Sequence, residues 1–85
     1  MRLMWLPGGW DDYLYWQAND RKTLQKINEL VRDALRNPFP DLGKPEPLKG
    51  NLKGWWSRRI TQEHRLVYRA EGNVMLITQC RFHYE

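Results

Sequence analysis

Apolar residues recur along two stretches of this chain at the spacing of an amphipathic helix. The stronger signal runs from position 24 to position 35, where neighbours at i+3, i+4 and i+7 are apolar. Asp20 precedes this run as a predicted helix N-cap, and Pro38 ends it because proline disfavours helical geometry in the residue before it. An earlier helix, beginning near two adjacent aspartates, is indicated by Trp10, Tyr13 and Trp16. We expect these three aromatic side chains to lie in the core.

Strand-like runs occupy both ends of the chain. Residues Arg2–Trp5 are predicted to form a short opening strand. Three more strands are predicted towards the C-terminus, at positions 55–61, 65–70 and 74–84. Positions 38–54 hold four prolines and three glycines, which predicts a long ordered loop of the kind that often carries function. The order β-α-α-β-β-β predicts one α+β domain over residues 1–85, with the N-terminal strand and helical hairpin packed on an antiparallel sheet.

Strand alternation sorts the side chains of the last two predicted strands. If their hairpin turns through residues 71–73, Arg65 pairs with Gln79, and successive side chains fall on opposite faces. One face then carries Arg65, Val67, Gln79, Arg81 and His83. The other face carries Leu66, Tyr68, Leu76, Thr78, Cys80 and Phe82. The second face is more apolar, so we expect the helices to cover it and the cationic face to be open.

The net charge of +4 is concentrated in the second half of the chain. Residues 1–42 hold six Lys/Arg and six Asp/Glu, whereas residues 43–85 hold eight Lys/Arg and four Glu. A basic half indicates an anionic partner such as nucleic acid, although a charge excess is also common on a merely solvated face. Cys80 is the only cysteine, and neither a signal peptide nor a membrane span is evident. We therefore expect a cytoplasmic location and no membrane partner.

Several kinds of chemistry are disfavoured by the residue types present. A zinc site needs three or four Cys, His or carboxylate ligands with paired spacing, whereas Cys80, His64 and His83 are scattered. No glycine-rich phosphate loop is evident, so neither a metal nor another cofactor is predicted. A lone cysteine within a strand is more often a small buried hydrophobe than a nucleophile. His64, at a turn before Arg65, is expected to be structural and to hold that hairpin by hydrogen bonds.

Polar residues that suit the cleavage of RNA are concentrated in the C-terminal half. RNA is cut when its own 2′-hydroxyl attacks the adjacent phosphate, which needs a base, an acid and a cation that stabilises the transition state. Glu46, His83 and Arg65 offer one group of each kind. The alternative is that these residues are scattered surface charges without a common role.

Longer motifs in the chain are distinctive. They are WDDYLYW at 10–16, GKPEPLK at 43–49, WSRRITQEHRLVY at 56–68 and CRFHY at 80–84. Together these motifs resemble the YoeB toxins, a branch of the RelE-type toxins of bacterial type II toxin–antitoxin pairs, although the HRLVY segment alone is shared by the wider group. The resemblance implies a microbial-ribonuclease-like fold and a ribosome-dependent, metal-free endoribonuclease that cleaves messenger RNA.

The resemblance also implies roles for particular residues. Glu46 is expected to be the general base, Arg65 to stabilise the transition-state phosphate, and His83 to be the general acid. Tyr84 is expected to orient the RNA, although strand alternation sets it on the opposite face from His83. Six further cations are expected to bind the RNA backbone, namely Lys44, Lys49, Lys53, Arg58, Arg59 and Arg81.

The partners implied by the resemblance are mRNA in the A site of the 70S ribosome and a cognate YefM-like antitoxin. Through the antitoxin, the chain is also expected to reach operator DNA and to act as a transcriptional co-repressor. The oligomeric state stays open, with a homodimer as one alternative. Two other functions also stay open: an antitoxin-binding co-repressor that has lost catalysis, and a free-standing ribonuclease that attacks any exposed RNA. A pure binding module would not need the whole set of catalytic-type residues, so the intact set favours catalysis.

Overall fold

The computed structural model describes residues 1–37 and 45–83 of the chain, which contain two helices and five strands. The helices are α1 (Pro7–Asn19) and α2 (Arg21–Arg36). The strands are β1 (Arg2–Trp5), β2 (Glu46–Pro47), β3 (Trp56–Arg59), β4 (Arg65–Glu71) and β5 (Val74–Gln79). A short 3₁₀ turn, Gly50–Leu52, lies between β2 and β3. In the part of the chain described, neither helix combines the length and the apolar character needed to cross a bilayer.

All five strands belong to one sheet, in the order β1-β5-β4-β3-β2. The predicted antiparallel arrangement of β3, β4 and β5 is confirmed, and β2 is also antiparallel to β3. Strand β1 differs from the predicted antiparallel sheet, since it runs parallel to β5 and makes the sheet mixed. Alternating hydrophobicity in a four-residue strand carries no information about its direction, which explains the difference. Strand β2 is an addition within the segment that was predicted to be a loop.

Both helices pack on the same face of the sheet, as predicted for this α+β class. One core cluster joins side chains from the two helices to side chains of β4 and β5, and it includes Trp16, Ile27, Leu30, Val31, Ala34, Leu66, Tyr68, Met75, Ile77 and Cys80. The predicted N-cap of α2 is confirmed, since the Asp20 side chain accepts a hydrogen bond from the Thr23 backbone N–H at 3.1 Å. Helix α1 begins earlier than predicted, at Pro7, because proline suits a first helical position whose N–H has no intrahelical partner.

Gly9 allows α1 to lie directly against β5. A Cβ atom at this position would be 2.5 Å from the backbone carbonyl oxygen of Ile77, closer than real Cβ contacts allow. The neighbouring Gly8 is less restricted, since its Cβ would lie 3.4 Å from the carbonyl oxygen of Thr78. The glycine at position 9 therefore sets how closely the first helix approaches the sheet.

The aromatic residues of α1 are buried unequally. Trp16 is 5% exposed, Tyr13 is partly buried, and Trp10 is 44% exposed, so the expectation that all three lie in the core is wrong for Trp10. Each step of three residues falls about 60° short of a full helical turn, which places Trp10 about 120° around the helix from Trp16. Trp10 packs instead on Trp5 and Tyr13, and the three rings line a surface cavity of about 420 Å³ beside α2.

The final hairpin differs from its predicted register by one residue. Strand β4 continues through Glu71, and the chain reverses over two residues, of which Gly72 has a φ of +60°. A one-residue shift moves every side chain of the partner strand to the other face. Met75 and Ile77 therefore face the helices, and Leu76, predicted to do so, pairs with Arg69 on the opposite face.

A bulge then restores part of the predicted pattern. Tyr68 pairs with Ile77 but Val67 pairs with Gln79, so Thr78 is the extra residue in β5. Cys80 consequently lies in the core, as predicted, and Gln79 lies on the face that carries Arg65. The direct pairing of Arg65 with Gln79 that was predicted is wrong, since Gln79 lies opposite Val67.

Candidate active site

The sheet face turned away from α1 and α2, here called the distal face, brings two of the candidate catalytic residues together. Glu46 on β2 pairs with Ser57 on β3, and Ser57 pairs with Val67 on β4. Two residues further along the same pair of strands, Arg59 lies opposite Arg65. Directly paired residues point to the same face of a sheet, and so do residues two apart on one strand. Glu46, Arg59 and Arg65 therefore share the distal face.

The distal face has a buried floor with exposed charges around it. Ser57 is 2% exposed and Val67 is fully buried, whereas Glu46 and Arg59 are exposed and Arg65 is partly buried. Given ordinary strand spacing, the backbones at Glu46 and Arg65 are about 10 Å apart across the sheet and about 7 Å apart along it. Arg59 lies next to Arg65 on the same face.

The Arg65 side chain is held by the turn that precedes its own strand. Its Nη1 atom donates hydrogen bonds to the backbone carbonyl oxygens of Thr61, Gln62 and His64, at 2.6, 3.1 and 3.0 Å. A guanidinium has five N–H donors, so these bonds from Nη1 leave donors on its other nitrogens. The turn therefore fixes the direction of a cation that has capacity for an oxyanion.

The segment after β5, residues 80–83, is called the tail here, and α1 anchors its beginning. The Cys80 backbone N–H donates to Asp12 Oδ2 at 3.0 Å, and Trp16 Nε1 donates to the Cys80 carbonyl oxygen at 2.8 Å. Burial raises the pKa of Asp12, with the hydrogen bond from Cys80 and the charge of Arg81 opposing this effect. One helix thus binds both polar groups of the Cys80 backbone.

Gln79 and His64 bind the rest of the tail. Gln79 Nε2 donates to the carbonyl oxygens of Arg81, Phe82 and His83, at 2.8, 3.2 and 3.1 Å. The Phe82 N–H donates to His64 Nδ1 at 2.8 Å, and the Arg65 N–H donates to the Phe82 carbonyl oxygen at 3.0 Å. These bonds set the tail beside the start of β4, with the exposed His83 next in the chain to the residue bonded by Arg65.

The six predicted RNA-binding cations are not equivalent. Lys49 and Lys53 flank the 3₁₀ turn, and both are exposed, as is Arg59. Arg81 is different, because its guanidinium carbon lies 3.4 Å from the centroid of the Tyr15 ring on α1. Strand β5 ends before Arg81, so strand alternation does not extend to this residue. The prediction that Arg81 lies on the same face of the sheet as Arg65 is therefore wrong. Lys44 and Tyr84 lie outside the described residues.

Arg58 is a structural residue and not an exposed cation. It is fully buried, its Nε donates to the Tyr68 hydroxyl at 3.0 Å, and its Nη2 donates to the Asn37 carbonyl oxygen at 2.9 Å. Its Nη1 forms an ion pair with Asp33 of α2. The register explains this placement, since Arg58 pairs with Leu66 on the face that the helices cover. The prediction of Arg58 as an RNA contact is therefore wrong.

Two residues in the site received no functional role from the sequence. His64 was expected to be structural and to hold its hairpin by hydrogen bonds, and its backbone does so with Ile60 and Thr61. Its ring in addition accepts a hydrogen bond from the tail. Gln79 was assigned only to a face of the sheet, and its amide binds three tail carbonyls. The available signal was the position of Gln79, a side-chain amide at the end of an otherwise apolar strand and just before a sequence with two basic residues.

Cys80 has the properties of a core residue. Its side chain is fully buried, and burial raises the pKa of the thiol to about 12, with the charge of Asp12 adding to the effect. A thiol with this pKa stays protonated near neutral pH, and a protonated thiol is a poor nucleophile. Within the described ranges 1–37 and 45–83, no three His, Cys, Asp or Glu side chains are grouped as metal ligands would be.

Known proteins that resemble this chain cover nearly its full length. A family model described as the YoeB-like toxin of bacterial type II toxin–antitoxin systems matches residues 5–84. Toxin YoeB of Escherichia coli (strain K12) is 58% identical to this chain over 84 residues, which are 99% of this chain and 100% of that protein.

Solved structures show the same similarity. A YoeB/ParE toxin from Agrobacterium tumefaciens has a TM-score of 0.94 and 56% identity, covering 99% of this chain and 100% of the other. A chain of a YoeB–YefM complex from Staphylococcus aureus has a TM-score of 0.90 and 45% identity, covering 99% and 98%. A YoeB dimer from the same species has a TM-score of 0.91 and 46% identity, with the same coverage. The fold expected from the sequence motifs is confirmed by this similarity.

Proposed function

Since the chain belongs to the YoeB-like toxins of bacterial type II toxin–antitoxin systems, we propose that it is an endoribonuclease that cleaves mRNA in the ribosomal A site and so inhibits translation. Residues 1–85 form the catalytic domain in this proposal. The observation that carries it is the shared distal face of Glu46 and Arg65, together with the hydrogen bond from the Arg65 N–H to the carbonyl oxygen next to His83.

The proposed reaction is attack by the 2′-hydroxyl of the RNA on its own adjacent phosphate. Glu46 accepts the proton of the 2′-hydroxyl while the 2′-oxygen forms a bond to phosphorus. The bond from phosphorus to the 5′-oxygen breaks, and His83 donates a proton to the departing 5′-oxygen. Arg65 donates hydrogen bonds to the phosphate oxygens as their negative charge increases. The products are a 2′,3′-cyclic phosphate and a 5′-hydroxyl, and no step uses a metal or another cofactor.

Binding of the message is assigned to the exposed cations around the distal face. Lys49, Lys53 and Arg59 are proposed to contact backbone phosphates, which positions an RNA without reading its sequence. Lys44 is proposed to join them, and Tyr84 to orient the RNA next to His83. Arg58 and Arg81 are omitted, since the first is buried and the second packs on Tyr15.

The proposed partners are the 70S ribosome, a YefM-like antitoxin and a second copy of the chain. Support for the antitoxin comes from the Staphylococcus aureus relative solved in a YoeB–YefM complex, and support for a homodimer comes from the relative solved as a YoeB dimer. Through the antitoxin, the toxin would reach operator DNA and act as a co-repressor. The proposed site of action is the cytoplasm, where messages are translated.

The test is cleavage of a defined message in a translation extract, with every new 5′ end mapped. Cuts confined to codons that ribosomes occupy, and absent from the same naked message, are the expected result. Cuts in naked RNA at a similar rate would instead indicate a free-standing ribonuclease. No cuts in either setting, with antitoxin binding retained, would indicate a co-repressor without catalysis.

A further inference from the structure

We propose that His64 is a positioning residue for the general acid, acting through the backbone of the tail. Its imidazole Nδ1 holds the Phe82 N–H, and this bond fixes the chain immediately before His83. This inference rests on the proposed function for its catalytic consequence, but its structural part can be tested without RNA.

The hydrogen bond defines the chemical state of the His64 ring. A backbone N–H can only donate, so Nδ1 must carry a lone pair and the ring proton must be on Nε2. The ring cannot easily turn away from this bond, because it packs edge-on against Trp16, with ring centroids 4.8 Å apart, and against Phe82, with centroids 5.9 Å apart. His64 therefore presents a fixed acceptor to the tail.

Phe82 needs such a restraint because its backbone conformation is unfavourable. It is the one described non-glycine residue with a positive φ, at +65°, in the left-handed region that residues with a Cβ avoid. Both of its backbone polar groups are bound, the N–H by His64 Nδ1 and the carbonyl oxygen by the Arg65 N–H. Removing the acceptor on His64 leaves the Phe82 N–H without its bond, so we expect the tail to relax and His83 to move away from Arg65.

Gln79 provides a second restraint on the tail. Its amide donates to the carbonyl oxygens of Arg81, Phe82 and His83, while its own backbone is fixed in β5 opposite Val67. The inference therefore extends to Gln79 as a supporting residue. Its replacement should loosen the same three residues without removing the acceptor on His64.

The decisive comparison is between two substitutions that differ in where they place an acceptor. In His64→Asn, the Oδ1 atom is separated from Cβ by the same number of bonds as Nδ1 of histidine, so the bond to Phe82 is retained. In His64→Gln, the Oε1 atom lies one bond further from Cβ and does not reach the Phe82 N–H. The measurement is the single-turnover rate of cleavage of ribosome-bound message at a saturating concentration of toxin. We expect a fall of about 10-fold or more for His64→Gln and less than about 3-fold for His64→Asn, because small displacements of a catalytic group are costly.

The dependence of the single-turnover rate on toxin concentration should separate this role from a loss of folded protein, because a smaller folded fraction would raise the toxin concentration that gives the half-maximal rate. That concentration should be unchanged in both variants, since His64 is not among the proposed phosphate contacts. Gln79→Met, which keeps the length of the side chain but has no N–H donor, should also lower the saturating rate. Glu63→Gln, an exposed change in the same turn, is the control and should leave the rate unchanged.

Amide hydrogen exchange tests the positioning without any RNA. The Phe82 amide should exchange slowly in the wild type and in His64→Asn, and about 10-fold faster or more in His64→Gln, because the lost bond is its protection. Equal exchange in all three proteins, or a wild-type cleavage rate in His64→Gln, would overturn the inference. A wild-type protein that does not cleave at all would refute the proposed function, while the exchange result would still decide whether His64 positions the tail.

Discussion

The backbone N–H of Arg65 donates a hydrogen bond to the carbonyl oxygen of Phe82 at 3.0 Å, which joins the first residue of β4 to the tail that ends in His83. The same strand presents the Arg65 side chain on the distal face with Glu46. A single backbone contact thus couples the proposed cation to the proposed general acid. Because both ends of this contact are set by main-chain atoms, side-chain substitutions can remove either catalytic group while leaving the contact between the strand and the tail in place.

Substitutions in the two distal-face residues should separate catalysis from binding. We expect Arg65→Ala and Glu46→Gln each to lower the single-turnover cleavage rate by about 10²-fold or more, the usual scale for a positioned charge or base. Ribosome binding, measured by co-sedimentation, should persist because other cations supply the phosphate contacts. Arg21→Ala, at the start of α2 and far from this face along the chain, is the control and should cleave normally. Wild-type cleavage by Arg65→Ala would contradict the proposed mechanism.

Arg58 should matter for stability and not for contact with RNA. Removing one partner of a buried ion pair usually costs about 3–5 kcal/mol, and the one-third exposure of Asp33 places Arg58→Met near the lower end, at about 3 kcal/mol. Urea unfolding measures this quantity. The neighbouring exposed substitution Arg59→Ala should change the free energy of unfolding by less than about 0.5 kcal/mol. A loss of ribosome affinity in folded Arg58→Met, with normal stability, would restore the original prediction of an RNA contact.

Two adjacent glycines in α1 should respond differently to alanine. Gly9→Ala places a Cβ 2.5 Å from the Ile77 carbonyl oxygen, and neither backbone can yield easily, so we expect a loss of about 2 kcal/mol or more. Gly8→Ala places its Cβ 3.4 Å from the Thr78 carbonyl oxygen, and alanine is favoured over glycine in helices by about 1 kcal/mol. The expected change for Gly8→Ala is therefore within about 1 kcal/mol of zero. Equal losses in the two variants would mean that α1 can move away from β5.

The sequence was sufficient for the elements whose signals are local. Asp20 as an N-cap and the apolar stripe of α2 were predictable because both depend on residues within a few positions of each other. Glu46 and Arg65 were singled out as candidate site residues by residue type and by motif, and their catalytic roles stay a prediction. Their placement on one face depends on the pairing of β2 with β3 and of β3 with β4, which no local pattern contains.

Several wrong predictions concern which face of the sheet a side chain occupies, because this depends on strand register and on cross-strand pairing. Starting the hairpin turn one residue too early inverted the faces predicted for Met75 and Leu76. The bulge at Thr78 then reversed that inversion, so Cys80 was assigned correctly although the register before it was wrong. Arg58 was taken for an exposed cation because its type suggests the surface, and only its pairing with Leu66 across β3 and β4 shows that it faces the helices.

The contributions of Asp12 and Asp20 to the free energy of unfolding should change with pH in opposite directions. Burial raises the pKa of Asp12, so the folded state favours its protonated form. As pH rises from the ordinary aspartate pKa through this raised value, the unfolded chain ionises first and the free energy of unfolding falls. Asp12→Asn keeps an acceptor for the Cys80 N–H but does not titrate. The stability of the wild type minus that of Asp12→Asn should therefore decrease between about pH 3 and about pH 7.

Asp20 provides the matched control, with the opposite sign. Hydrogen bonds from the Thr23 backbone and hydroxyl lower the pKa of Asp20. The ionised Asp20 side chain then adds to the free energy of unfolding above the ordinary aspartate pKa. This stabilisation is lost as pH falls through the lowered pKa. The stability of the wild type minus that of Asp20→Asn should increase between about pH 3 and about pH 7. Parallel urea titrations of the three proteins measure both trends, and a common direction for the two differences would contradict the pKa shifts.

The ends of the cleaved RNA test the proposed chemistry independently of any family relationship. Attack by the 2′-hydroxyl leaves a 2′,3′-cyclic phosphate, which can open to a 3′-phosphate, and a free 5′-hydroxyl. Attack by metal-activated water usually leaves a 5′-phosphate and a 3′-hydroxyl. Replacing the 2′-hydroxyl of the scissile nucleotide by hydrogen or by 2′-O-methyl should abolish cutting while the message still binds. Because the proposed mechanism uses no metal, cleavage should also survive chelation for as long as the ribosome itself does. A 5′-phosphate on the downstream fragment, or efficient cutting of the 2′-O-methyl message, would show that Glu46 and His83 do not act as the proposed general base and general acid.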